Sequence, residues 1–150
     1  MKKLLSFFAI ALILVISACS KESSGDSKPA ISFKEFSTDV LTLDFPSDYK
    51  FGITLNIQDK DGDIEDSAFV KIRFLDPPED RNYQPYQMPE LGVYGGKDID
   101  AELVLYLNMI DFNRDNQPEV DSVYFDIFVK DRKGNYSDTI TTPKMAYHSL

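Results

Sequence analysis

An all-β, antiparallel sandwich is the fold class this chain predicts, and three observations carry the prediction. Four stretches alternate apolar and polar residues with a period of two, turn-rich segments separate them, and beyond the N-terminal leader no stretch sustains a helical apolar period. Alternation at period two puts one side of a strand in the core and the other in water. Six to eight such strands in about 120 residues suit two packed sheets.

Taken in chain order, Ala30–Phe36 and Val40–Phe45 are short expected strands. In the next, Phe51, Ile53, Leu55 and Ile57 alternate with Gly52, Thr54 and Asn56. Val70, Ile72 and Phe74 repeat the pattern against Lys71 and Arg73, and Leu103, Leu105, Leu107 and Met109 repeat it against Glu102, Val104, Tyr106 and Asn108. Val123, Phe125, Ile127 and Val129 alternate with Tyr124, Asp126 and Phe128, and a last strand is expected over Asp138–Met145, with a short one near Leu91–Tyr94. This order suggests an immunoglobulin-like topology of about seven strands, with Phe51–Ile57 as strand B, Val70–Phe74 as C, Ala101–Met109 as E, Val123–Val129 as F and Thr139–Met145 as G. There is one cysteine and no tryptophan, so apolar side chains must fill the space that a disulfide and Trp occupy in antibody domains, with Leu55 and Ile127 central. A small closed or jelly-roll barrel is the alternative with the same alternation.

Before the first strand, Lys2 and Lys3 precede an apolar run from Leu4 to Ile16, the parts of a secretory signal. The fifteen residues from Leu4 to Ala18 fall short of the roughly 20 needed to span a bilayer, and a polar Ser20-Lys21-Glu22 segment follows at once. Ile16-Ser17-Ala18-Cys19 resembles a lipobox. That resemblance implies removal of residues 1–18 and lipidation of Cys19, hence a bacterial envelope lipoprotein held on the membrane by its acyl chains. Residues 19–29 are then the lipidated cysteine and a flexible tether, reaching on the order of 15 to 20 Å, and residues 30–150 form the sandwich domain. Ser20 lacks the acid that, by the same resemblance, marks inner-membrane retention, so the outer membrane is expected, with the leaflet undetermined.

The leader carries two of the 16 basic residues and none of the 25 acidic ones, so the 132 residues after it have 14 against 25, a formal charge of −11. Such a balance disfavours nucleic acid and anionic bilayer surfaces as partners and suits divalent cations.

Three segments offer chemistry. Asp59-Lys60-Asp61-Gly62-Asp63-Ile64-Glu65-Asp66 places five carboxylates in eight residues after strand B. Carboxylates at alternate positions around a glycine turn can converge on Ca²⁺, which takes six to eight oxygens at about 2.3 to 2.6 Å. The segment is no EF-hand, because Ile64 and Val70 stand where that loop needs glycine and glutamate. Its other reading is a polar turn hinged at Asp61-Gly62. A second segment, Lys130-Asp131-Arg132-Lys133-Gly134-Asn135-Tyr136-Ser137, joins strands F and G. Together, the D-x-D-G-D turn and this D-x-x-G-N-x-S turn resemble the immunoglobulin-like modules of bacterial envelope lipoproteins and adhesins over residues 50–145. In that topology the B–C and F–G loops share one end, so Asp131 is expected near Asp59, Asp61 and Asp63 as a calcium ligand set. Arg132 and Lys133 beside the acids would supply the neutralising charge instead. In the E–F connection, Asp111, Asn113 and Asp115 have calcium-loop spacing but lack the following glycine and the twelfth-position acid.

Between strands C and E, residues 76–90 hold four of the eight prolines, with Tyr83 and Tyr86. Such tyrosines can stack on a glycan or a peptide, or cover a sheet edge as part of a wrapping loop. The inventory for catalysis is poor: His148 is the only histidine, Cys19 is committed to the anchor, and neither G-x-S-x-G nor H-E-x-x-H occurs. The expected protein is a membrane-tethered, non-catalytic structural or binding module, calcium-stabilised at one end. Its alternative is a glycan- or peptide-capturing accessory lipoprotein with Tyr83 and Tyr86 as its site.

Overall fold

A computed structural model describes residues 28–64, 66–90, 97–115 and 118–148. The expected signal, Cys19, most of the expected tether and the expected strand at Leu91–Tyr94 lie outside them. Ten strands follow: β1 (Ala30–Phe36), β2 (Val40–Thr42), β3 (Lys50–Asp59), β4 (Ser67–Leu75), β5 (Pro78–Asp80), β6 (Gln84–Gln87), β7 (Ile99–Asn108), β8 (Val120–Lys130), β9 (Ile140–Thr141) and β10 (Met145–His148), with a short 3-10 helix at Met109–Phe112.

The strands form two sheets. One has the order β1-β3-β7 and the other β2-β10-β8-β4-β5, with β6 also on β4 and β9 also on β8. In immunoglobulin terms these are A-B-E against G-F-C and its neighbours, the sandwich the alternation predicts. Pairing is antiparallel except between β2 and β10, which run parallel. The chain thus starts in one sheet and crosses to the other between Phe36 and Val40.

Inward residues of β3 and β8 meet at the centre. Leu55 and Ile127 are fully buried, and Phe51 stacks on Phe125 at 5.7 Å between centroids while Phe112 meets the Phe51 ring edge-on at the same distance. These aromatics occupy the volume a disulfide and Trp would otherwise fill, and their offset and edge-on geometries are the favourable ones.

Two elements differ from expectation, each for a local reason. The single last strand is two, because proline has no amide to donate to a ladder. At the break before Pro143, the Thr142 hydroxyl accepts from the Phe125 amide at 3.0 Å while the Thr142 amide donates to the Phe125 carbonyl at 2.9 Å, so β8 keeps its bonds across the bulge. The C–E connection is not a free wrapping loop either. β5 pairs with the C-terminal end of β4 and β6 with its N-terminal half, a broken edge strand.

At the end of the sandwich where β4 finishes and β8 begins, a buried arginine closes the structure. Arg114 is 1% exposed in its side chain, as is Asp121, and the two pair at 2.7 Å. The same guanidinium donates to Glu79 at 3.1 Å and to the Pro77 carbonyl at 2.7 Å, and lies 4.3 Å from the Phe74 ring centroid. Asp121 also accepts from the Asp76 and Ser122 amides. The expected calcium spacing in this connection therefore serves another end: Asp111 accepts from the Asn108 amide at the start of the 3-10 helix, and the neighbouring Arg114 neutralises Asp121. Removing one partner of a buried, hydrogen-bonded pair leaves the other charge desolvated, typically at a cost of about 3 to 5 kcal/mol. Arg114→Ala is expected to lower the stability measured by urea unfolding by that amount.

Candidate metal centre

The opposite end is built by extending the same period of two. The inward series Phe51, Ile53, Leu55, Ile57 runs one step further to Asp59, and Val123, Phe125, Ile127, Val129 runs one step further to Asp131. Both aspartates follow the pleat into the interior: Asp59 is 2% exposed and Asp131 fully buried. Each is the first residue of a turn whose glycine takes a left-handed conformation, Gly62 at φ 68° and Gly134 at φ 89°, which side chains bearing a Cβ rarely adopt. Ile64, 1% exposed, pins the first turn to the core.

Hydrogen bonds organise the two turns differently. Asp131 is satisfied: its oxygens accept from the Asn135 amide at 2.7 Å and the Asn135 side chain at 2.8 Å. Asp59 is only half satisfied, with Oδ2 accepting from the Asp63 amide at 2.8 Å. The Arg132 amide donates to the Asp63 carbonyl at 2.8 Å and stitches the turns together.

Asp59, Asp61 and Asp63 each bring one carboxylate oxygen to within 4.8 Å of the others. Oxygens on opposite sides of one Ca²⁺ lie about 4.6 to 5.2 Å apart, so the three fit a single coordination sphere. Buried and without a hydrogen-bond partner among the described residues are Asp59 Oδ1, Asp61 Oδ1 and both oxygens of Asp63. The counter-charge is Lys133, whose Nζ lies 2.6 Å from Asp61 Oδ2 and 3.3 Å from Asp63 Oδ2. One exposed ammonium pairs with two of the three clustered carboxylates, with Asp131 close enough to raise the Asp63 pKa further.

The electrostatics follow. Burial pushes Asp59 up to about 6, with repulsion from Asp61 and Asp63 adding to it. Burial likewise raises Asp63, whereas the Lys133 hydrogen bond holds Asp61 below the usual carboxylate range. An all-carboxylate donor set without nitrogen or sulfur selects a hard cation such as Ca²⁺, Mg²⁺ or Mn²⁺. Asp59, Asp61 and Asp63 would hold it directly, and Asp131 would add charge from behind.

Three of the four expected ligands are thus brought together, the fourth stands beside them, and the alternative neutraliser Lys133 is in contact too. Glu65, in the same turn, lies outside the described residues. Tyr83 and Tyr86 are not brought to one surface. Tyr83 points outward, 38% exposed, with its ring edge on Phe128 at 5.0 Å. Tyr86 pairs with the buried Ala68, faces the core, and has its hydroxyl pushed up to about 12 by burial. Outward aromatics Phe69, Phe128 and Tyr136 continue from Tyr83, Phe69 stacking on Phe128 at 4.7 Å. The register against β4 shifts by one residue between β5 and β6, and the odd spacing of Tyr83 and Tyr86 sets them on opposite faces of an extended segment. The Asn135 clip on Asp131 had a signal, the D-x-x-G-N order of the turn, which brings the Asn135 amide and side chain back onto the carboxylate four residues earlier.

No protein-family model, curated protein or solved structure matches this chain. Its class is an all-β sandwich of immunoglobulin-like strand order with a carboxylate cluster at one end, and function rests on the chemistry of its own residues.

A proton on Asp59 relieves the cluster, so at this site the folded protein holds a proton that the unfolded chain releases, up to about pH 6. In chelator, the contribution of Asp59 to stability is present at acid pH and lost as pH rises through about 6. The melting midpoint in chelator is expected to fall from pH 5 to pH 7, and Asp59→Asn to flatten that dependence.

Proposed function

We propose that this protein is a membrane-anchored, non-catalytic envelope lipoprotein whose sandwich serves as a structural or binding module stiffened at one end by a divalent cation, with calcium the best fit. One observation carries the cation: one carboxylate oxygen from each of Asp59, Asp61 and Asp63 is buried without a hydrogen-bond partner among the described residues, in a domain whose other end neutralises its buried carboxylate with an arginine. Leaving such groups unsatisfied is costly, and a hard cation can take one oxygen from each of the three.

The register adds where this end sits. Ala30 pairs with Gln58, so the chain enters the domain beside the carboxylates, and Lys28 reaches Asp138 at 2.6 Å at the same end. With Cys19 as anchor, the cation would stiffen the membrane-facing end and leave the Arg114 end presented outward. Among the described residues no helix is long and apolar enough to cross a membrane, which suits a lipid anchor without requiring one.

The second reading, a glycan- or peptide-capturing accessory protein, is favoured by the outward aromatics Tyr83, Phe128 and Tyr136 rather than by Tyr83 with Tyr86.

Melting the protein in 1 mM Ca²⁺ and in chelator tests the cation. A site with a dissociation constant near 10 μM adds about 2.7 kcal/mol under those conditions and raises the midpoint by several degrees. Asp61→Ala is expected to abolish the shift, and equal midpoints for the wild type would refute the site. For the anchor, cells fed an alkynyl fatty acid should label the wild type and leave Cys19→Ala unlabelled and detached from membranes.

A further inference from the structure

Lys133 stands where an incoming cation would be repelled, and its surroundings let it leave. Its Nζ contacts Asp61 Oδ2 and Asp63 Oδ2, which belong to two of the three carboxylates that a bound ion would bridge. A dication among those groups would lie a few ångströms from the ammonium, so both charges cannot be held at full strength together.

The side chain is 59% exposed, against 1% for Arg114 at the far end. Swinging out returns a strongly hydrated ammonium on a flexible stem to water, and exposed ion pairs of this kind are weak. Nor does the turn depend on Lys133 for its shape. The Asp131 amide donates to the Asn135 carbonyl at 3.0 Å, the Gly134 amide to the Asp131 carbonyl at 3.2 Å, and both Asp131 oxygens are clipped by Asn135. Gly134 carries the positive φ with open space around it.

We propose that Lys133 is the resident counter-charge of the Asp59, Asp61 and Asp63 site, displaced when a divalent cation binds, so that the F–G turn sets the affinity of a site built by the B–C turn. The inference rests on the cation reading above and adds its regulation: neutralising Lys133 tightens the site, and the metal-free protein relies on Lys133 in the cation's place. The Arg114 end has no such freedom, because its guanidinium is buried against the Phe74 ring and donates to Glu79, Asp121 and the Asp76 and Pro77 carbonyls.

Calorimetric titration with Ca²⁺ alone, at constant ionic strength, tests it on the wild type, Lys133→Met and Lys133→Arg. Lys133→Met is expected to bind Ca²⁺ at least tenfold more tightly than the wild type, to melt lower in chelator, and to regain the wild-type midpoint at saturating Ca²⁺. Lys133→Arg, which keeps the charge, should stay within about threefold of wild-type affinity. Equal or weaker binding by Lys133→Met overturns displacement, and the cation site itself survives that result if Asp61→Asn abolishes binding. Absence of Ca²⁺ uptake by both the wild type and Lys133→Met overturns the two readings together.

Discussion

Burying carboxylates at both ends of a hydrocarbon core is the constraint that organises this sandwich. β3 and β8 are the long inner strands of the two sheets, and each carries its inward series one residue past the last apolar side chain, to Asp59 and to Asp131. At the opposite end the chain buries Asp121 as β8 begins. A charge taken out of water must find a counter-charge or hydrogen bonds, so the loops that close each end are shaped by what neutralises these acids.

The two ends solve that problem with opposite mechanics. Arg114 is a planar, permanently charged donor locked among Asp121, Glu79, the Pro77 carbonyl and the Phe74 ring, which makes that closure a fixed part of the fold. At the Asp59 end, Asn135 satisfies Asp131 with neutral donors, and a single exposed lysine pairs with Asp61 and Asp63 while Asp59 has no cation beside it among the described residues. The first arrangement resists change. The second leaves charge unbalanced beside the point where the chain enters the domain, which is the basis for assigning a cation there.

Between the ends, packing follows from the alternation with little left over. Phe51, Phe125 and Phe112 fill the centre, while the outward face of β4 and β8 carries Phe69 and Phe128 with Tyr83 across the broken edge strand. Side-chain hydroxyls repair the backbone where strand pairing is interrupted: Thr142 accepts from Phe125 and Ser137 from Val129, each at a bend of the last strand segment. These repairs give Phe125 and Val129 of β8 partners along a side where Pro143 prevents a continuous strand.

The four long strands and their inward faces were legible from the sequence, because period two depends only on which residues are apolar, whereas the edge strands β5 and β6 and the split of the last strand were not. That Phe51 through Ile57 and Val123 through Val129 face the core needed no coordinates, and continuing the count would also have buried Asp59 and Asp131. The clustering of Asp59, Asp61 and Asp63 near Asp131 was legible once strand order placed two turns at one end. Tertiary structure alone decided the rest, since each case joins residues far apart in the chain. Arg114 reaches Asp76, Glu79 and Asp121 across three elements, and the pairing of β6 with β4 sets Tyr86 on Ala68 at the core while Tyr83 lies on Phe128. Local pattern determines which way a side chain points, but which charge it meets depends on how two sheets stack, and that is a property of the packed whole.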